Sequence, residues 1–362
     1  MANSDKTASS SPVAPSPSRN DLDDDLFPDA ENAIEPDSTA SEEDYATDSD
    51  SAASTSLASS VRDHVFENNR RFHKFKEGRY LLPNDEPEQE REDMKHAMVL
   101  HVCDGKLHFS PLENPQKILD VGTVGDEFPG AEVVGIDLSP IQPPWVPPNV
   151  KFYVDDAESD WVDAEGSLDL VHARHVCMGI KDWPRLLNQA YKYGITFSPP
   201  GYFATPFLTA YRALKPGGWI ELQEMRLVSK CDDNTMPDDW AMKLYLEYIV
   251  EGFRTFGIDL LNLDQNRGRV VDAGFVNVEE RVWKVPLGTW PRDPKMKMVG
   301  TYHRSVVWDA LQGAAMGACT RGLKWSLEEF EVFLTEVRRA MMDTSVHAYF
   351  TFHVVYGQKP LR

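Results

Sequence analysis

Three short apolar segments in close succession, each ending on acidic residues, constrain this chain more than any other feature. Residues 117–123 (KILDVGT) have the apolar run of a buried strand and close on Asp120 and Gly122. Residues 132–140 (EVVGIDLSP) repeat the pattern and place Asp137 at the end of the run. Residues 150–158 (VKFYVDDAE) repeat it again, ending on Asp155 and Asp156. Successive parallel strands with acids at their carboxyl ends form the kind of sheet that holds a nucleoside. The joint between the first two is short. Only residues 123–131 remain for it, including Pro129 and Gly130, whereas a parallel crossover with its helix takes about a dozen.

Charge excludes one class of ligand. The chain carries a net charge of −21, but residues 1–60 hold 14 acidic side chains against Lys6 and Arg19. The acidity therefore belongs mainly to a Ser-, Asp- and Pro-rich tail whose only aromatics are Phe27 and Tyr45. Such a segment buries too little apolar area to offset chain entropy, so residues 1–60 are expected to be disordered. The folded remainder is also net acidic, which argues against direct nucleic-acid binding. Cys103, Cys177, Cys231 and Cys319 are scattered and lack metal-site spacing. They suit a reducing compartment, cytoplasmic or nuclear. No apolar run reaches the ~18 residues of a membrane span, and no secretory signal is visible.

Residues 61–110 are expected to form a helical cap with one turn, Asn84 or Asp85 capping a helix whose apolar face is Met94, Met98 and Val99. An α/β domain over 111–362 follows. Its strands are expected at 117–122, 132–137, 150–154, 168–173 and 218–224, with a further strand over 275–288 and a final alternating one over 347–357. Asp182 caps a short helix running to Ala190, and Asp238 or Asp239 caps a long one over 240–256. Two more helices are expected near 299–318 and 326–342, the second opened by a Ser-x-x-Glu box. The predicted architecture is a Rossmann-like doubly wound sheet ending in an antiparallel pair.

At several of these segments the chain resembles the LaeA-like fungal class I methyltransferases. The resemblance runs from about Glu67 to Pro360. It is carried by ENNRRFHKFKEGRYLLPNDEPEQER, IDLSPIQPPWVPPNVKFYVDDAE, IKDWPRLLNQAY, LKPGGWIELQE and HAYFTFHVVYGQKP. It implies S-adenosylmethionine as cofactor, a helical insertion toward the C-terminus, and a role in fungal secondary metabolism. It also implies cofactor contacts at Asp120 and Gly122 beneath the methionine portion, at Asp137 on the ribose hydroxyls, and at Asp156 and Ala157 on adenine. Arg174 belongs to the cofactor set by the same resemblance, and His175 is the candidate catalytic base. No metal is implied. The partners implied are a small-molecule methyl acceptor or, in a regulatory and non-catalytic alternative, velvet-type proteins. Other histidines (His172, His303, His347, His353), Cys177 and Met178 are read as packing or surface groups. So are Trp145, Trp161, Trp240 and Trp283.

The chain departs from the family twice. Gly122–Thr123 pass straight to VGDEFPGAEVVG, about eight residues short of the family's glycine-rich loop. The absent glycines are those that let backbone N–H groups approach the cofactor, so weak cofactor binding is expected. Conversely, residues 193–212 interrupt QAYK–ALKPGG with an apolar, Pro-rich stretch. Lys192-Tyr193-Gly194 permit a splice-donor-like codon run and Tyr211-Arg212 an acceptor-like one. Excising the bases between them restores QAYKALKPGG in frame. We read the stretch as a retained intron, the alternative being a true insertion; sequencing the transcript across these codons decides between them.

Overall fold

The computed structural model describes residues 34–35, 64–67, 70–73, 80–121, 128–139, 141, 146–161, 163–191 and 213–361. The chain divides into two compact units, Met1–Ile34 and Glu35–Arg362, and all described secondary structure belongs to the second. The tail expected to be disordered (Ile34 and Glu35 apart), Gly122, Trp145 and the 193–212 stretch lie outside the described residues.

A seven-stranded sheet organises the second unit. Its strands are β3 (Lys117–Val121), β4 (Glu132–Asp137), β5 (Val150–Val154), β6 (Leu168–Arg174), β7 (Leu214–Lys230), β8 (Val276–Pro286) and β9 (Tyr349–Gln358). Their spatial order is β5-β4-β3-β6-β7-β9-β8. The first five pair in parallel, and β9 runs antiparallel to both β7 and β8. β6 is central, and Leu168, Leu170 and Val171 are buried on both its faces, with Asp169 partly exposed and paired with Lys215. Chain order reverses between β3 and β6. Their carboxyl ends therefore form the switch point at which open α/β sheets bind ligands.

Helix α1 (Glu86–Val102) and helix α5 (Pro294–Met316) pack on each other against one face of the sheet, where Met98, Val99, Val299, Ile118 and Phe352 share a core. Helix α2 (Trp183–Tyr191) and helix α4 (Asn266–Asp272) contribute Leu186, Leu187 and Val270 to the larger core, which also holds Leu119, Val171 and Ile220. Helices α3 (Ala241–Arg254) and α6 (Leu327–Met342) close it at Phe253, Phe330 and Leu334. α6 opens with the expected capping box of Ser326 and Glu329.

Several elements differ from the sequence expectation. The front of the 61–110 segment is an antiparallel pair, β1 (His64–Glu67) with β2 (Arg70–His73), not a helix. Arg70 ties that pair to α1, since its guanidinium donates to both oxygens of Asp85 at 2.6 and 2.8 Å. Asp85 is at the same time the N-cap of α1, accepting from the Glu88 amide. Asp182 meets its expectation, accepting from the Arg185 amide at 2.9 Å. Asp238 and Asp239 do not cap α3, which starts after Trp240 with no side-chain cap. β7 is longer than 218–224. The Lys-Pro-Gly-Gly run bulges between the Leu214–Leu168 and Trp219–Leu170 pairs, with Gly217 at φ +81°, where a side chain is strained.

Gly300 of α5 makes the tightest backbone approach. A Cβ there would lie 1.9 Å from the Gly288 carbonyl oxygen, and the Gly288 N–H donates to the Gly300 carbonyl at 3.1 Å. Gly300→Ala is expected to lower stability by about 2 kcal/mol through overpacking. Urea unfolding checks this, and an unchanged midpoint would refute the close approach.

Candidate functional site

The site forms at the carboxyl ends of the central strands. Asp120, at the end of β3, is buried, and its Oδ1 lies 2.9 Å from His172 Nδ1 on neighbouring β6. Asp137, at the end of β4, is open to solvent, and its Oδ1 accepts from the Ser139 amide at 2.7 Å. Oδ2 has no hydrogen-bond partner among the described residues. Protein crowding around this carboxyl outweighs the Ser139 amide and, with Glu92, raises its pKa to about 6, although one face stays accessible to water. The Asp155 amide donates to the Asp137 carbonyl at 2.9 Å, so the tips of β4 and β5 sit side by side. Asp156 and Ala157 follow at that tip and are buried. The Asp156 carboxylate turns onto the Glu158 amide at 2.9 Å, and the Ala157 carbonyl accepts from the Trp161 indole at 2.8 Å.

Arg174 is engaged by the protein itself. Its guanidinium donates to Gln223 Oε1 at 3.0 Å and to the Leu107 carbonyl at 3.1 Å, and it lies 3.3 Å from His96 Nδ1. It clamps the segment that follows α1 to β6 and β7. Gly122, the remaining candidate, is outside the described residues. Trp161 and Trp240 are core residues, as read from the sequence.

A cavity of about 130 Å³ lies beyond β6 and β7. Met242, Leu246 and Ile249 of α3 and Val306 and Val307 of α5 supply apolar walls. Tyr80 forms part of the rim, and its phenol is held well above its usual range by burial and by Glu92, Glu88 and Asp137. His175 enters from the end of β6 in a left-handed conformation (φ 56°), a strain that side chains other than glycine adopt mainly where structure requires it. Its Nε2 is buried and has no hydrogen-bond partner among the described residues. Burial, with Lys95 and Arg174, drives its pKa well below the ordinary imidazole value, so the ring is neutral.

Two features escaped the sequence reading. First, α1 turns charge inward. Glu88, Arg91 and Lys95 line the cavity, Arg91 pairs with Glu88 at 2.5 Å, and Lys95 pairs with Glu92 at 2.5 Å. Burial raises Glu92, but Lys95 and Arg91 outweigh it and hold the carboxyl down to about 2. Second, Glu224 of β7 faces the cavity and is 2% exposed. Its Oε1 accepts from the Val176 and Cys177 amides at 2.9 and 3.1 Å, while Oε2 has no partner among the described residues. Cys177 and Met178, read as packing residues, line the same cavity. Burial and Glu224 push the Cys177 thiol well up, which removes it as a nucleophile.

A strand tip that ends on an accessible carboxylate and a small, largely apolar cavity in the same sheet are compatible with a group-transfer enzyme, and sequence comparison agrees. Residues 94–280 match the methyltransferase domain family, so this protein is a methyltransferase by family. Within that class it belongs with the LaeA-like fungal proteins and has the class I sheet order. Methyltransferase pytC of Aspergillus terreus is 36% identical over 86% of this chain and 93% of its own length. The secondary metabolism regulator LAE1 of Cochliobolus heterostrophus is 32% identical over 82% and 95%. The protein-methionine methyltransferase laeA of Emericella nidulans is 28% identical over 82% and 76%. Among the described residues no group of His, Cys, Asp and Glu is arranged to hold a metal, and no helix is long and apolar enough to cross a membrane.

Proposed function

We propose that the chain transfers a methyl group from S-adenosylmethionine to a small-molecule acceptor of fungal secondary metabolism, in the cytoplasm or nucleus. The observation that carries this reading is the cavity lined by His175 from the end of β6 and Glu224 of β7, in a sheet whose β4 ends on Asp137. The residues present fit the cofactor at one end. Asp137 keeps an unengaged carboxylate oxygen at an exposed strand end, and two acceptor oxygens suit a ribose diol. When bound, S-adenosylmethionine supplies a methyl group already activated on a sulfonium. The protein's share is alignment and exclusion of water. The apolar walls of α3 and α5 keep water out, Asp137 fixes the donor's sugar, and neutral His175 offers a hydrogen-bonding nitrogen to the acceptor.

The ten residues 122–131 that connect β3 to β4 weaken the grip on the donor. Calorimetric titration is expected to give a dissociation constant above ~1 μM, the value equivalent to about −8.2 kcal/mol. Asp137→Ala is expected to weaken that binding roughly 30-fold, about 2 kcal/mol, for a lost charge-assisted contact. Equal binding by variant and wild type would remove Asp137 from the donor site.

A second reading is favoured by the relatives named as secondary metabolism regulators: a non-catalytic regulator working through velvet-type protein partners. Complete absence of donor binding by the purified chain would favour it over methyl transfer.

A further inference from the structure

We propose that Glu224 is the general base of the cavity, and that the acceptor is a compact ring-bearing molecule methylated on a hydroxyl, phenolic or enolic. The proposal deepens the methyl-transfer reading and rests on it.

Geometry carries it. Two backbone amides hold one oxygen of Glu224, which fixes the carboxyl plane and presents the other oxygen, unpartnered, to the cavity. A buried acceptor in a native structure calls for an explanation, and an incoming hydroxyl supplies one. Size narrows the ligand. An apolar cavity of ~150 Å³ takes benzene, and this one, at about 130 Å³, suits one ring. A methyl thioether has no proton to give and leaves a buried base without purpose; a hydroxyl uses it.

The surrounding charges agree. Burial raises Glu224 to about 7, against the pull of the Cys177 thiol, the two amides and Lys95. A base is most effective when it titrates near the working pH. From α1, Lys95 and Arg91 face the cavity as cations and Glu88 as an anion paired with Arg91, with Glu92 on Lys95 behind them. From the end of β6 come His175, which burial makes too weak a base at neutral pH, and Cys177, whose thiol stays protonated. Tyr245 of α3 donates its hydroxyl to the Leu311 carbonyl. On α5, His303 Nδ1 lies 2.9 Å from the Pro286 carbonyl. Tyr80 at the rim is held protonated. Glu224 is therefore the group able to take a proton near pH 7, and Lys95 stands by to stabilise the oxygen anion that forms.

The step balances. The acceptor's O–H bond breaks and its proton passes to Glu224 Oε2. With S-adenosylmethionine bound, the O–CH3 bond would form as the donor's S–CH3 bond breaks, that electron pair going to sulfur. Glu224 afterwards returns the proton to water.

The test needs no methyl donor. Full-length protein is titrated with 4-fluorophenol and with 4-fluoroanisole, followed by fluorine NMR from pH 5.5 to 8.5. Affinity for the phenol is expected to rise roughly tenfold along one ionisation near pH 7, because a hydrogen bond to a carboxylate is about twice as strong as a neutral one. The anisole, which has no donor, is expected to show no rise, and Glu224→Gln is expected to abolish the rise for the phenol. Lys95→Met is expected to move the midpoint to higher pH, which serves should Glu224→Gln fail to fold. With donor present, Glu224→Gln is expected to slow phenol methylation at least ~100-fold. A phenol affinity without the pH step, a step that survives in Glu224→Gln, or a midpoint unmoved by Lys95→Met overturns the proposal. Failure of donor binding with the pH step intact overturns methyl transfer instead and leaves the hydroxyl contact of Glu224 standing.

Discussion

Glu221→Ala is expected to lower the stability of the folded chain by about 5 kcal/mol. Glu221 lies on β7 with no exposure to solvent, and its carboxylate accepts four kinds of donor. They are the Phe109 amide at 2.9 Å, the Ser110 amide at 2.7 Å, the Ser110 hydroxyl at 2.6 Å and the Gln223 side-chain amide at 2.7 Å. Truncation leaves these donors without a partner in a region sealed from water, at ~1–3 kcal/mol each before relaxation. Partial water entry brings the sum down to the figure given. Glu221→Gln is expected to cost about half as much, since one amide oxygen still accepts. Urea unfolding with an unchanged slope measures both. A loss under ~1 kcal/mol would mean that the donors find other partners.

This network also reaches toward the proposed acceptor cavity. The Gln223 amide donates to the Leu107 carbonyl at 2.9 Å, and Arg174 donates to the same oxygen and to Gln223. Glu221, Gln223 and Arg174 together hold residues 107–110 against the sheet. That segment follows α1, the helix that hangs Lys95 and Arg91 over the cavity. Loosening it is expected to disorder the acceptor site before it disturbs the β4 tip.

Much of the fold was legible because period and burial coincide. β6 and β9 are buried on both faces and are rich in apolar and β-branched residues, and the capping box of α6 states its own start. The β1–β2 pair was missed because HVFE and RRFH mix charge with apolar residues and neither is sealed on both faces. Its signal was the Asn68-Asn69 dipeptide between them, a turn-forming pair. The inward charges of α1 were missed because Glu88, Arg91, Glu92 and Lys95 at helical spacing ordinarily mark a solvated face. Glu224 was missed because GWIELQE was read only as strand. Its signal was composition: three polar residues, Glu221, Gln223 and Glu224, within a strand central enough to be sealed on both faces. Asp137 was legible because a strand end fixes position without tertiary knowledge. The Arg174 clamp was not legible because the sequence does not show which acceptors surround a guanidinium.

Glu224→Gln is expected to stabilise the chain at alkaline pH, by an amount that grows with pH. The carboxyl titrates near 7 in the folded chain and near 4.5 in the unfolded one. Between those values the folded state holds a proton that the unfolded state has released, so stability falls as pH rises through that window. Below 4.5 both states are protonated and the penalty is absent. Above 7 both are ionised and the full penalty remains, about 3 kcal/mol at ~1.4 kcal/mol for each pH unit between the two values. Glutamine keeps the oxygen that the Val176 and Cys177 amides bind and removes the ionisation. The difference in unfolding free energy between variant and wild type should therefore rise by about 3 kcal/mol from pH 4.5 to pH 8, to the variant's advantage. Taking the difference cancels the pH dependence of every other group not coupled to Glu224. A difference that stays flat would place the Glu224 titration at its ordinary value, and with it would go the physical reason for a buried base. A residue that destabilises its own fold at working pH, and whose neutral counterpart stabilises it, fits the proposed role of its ionised oxygen in the cavity.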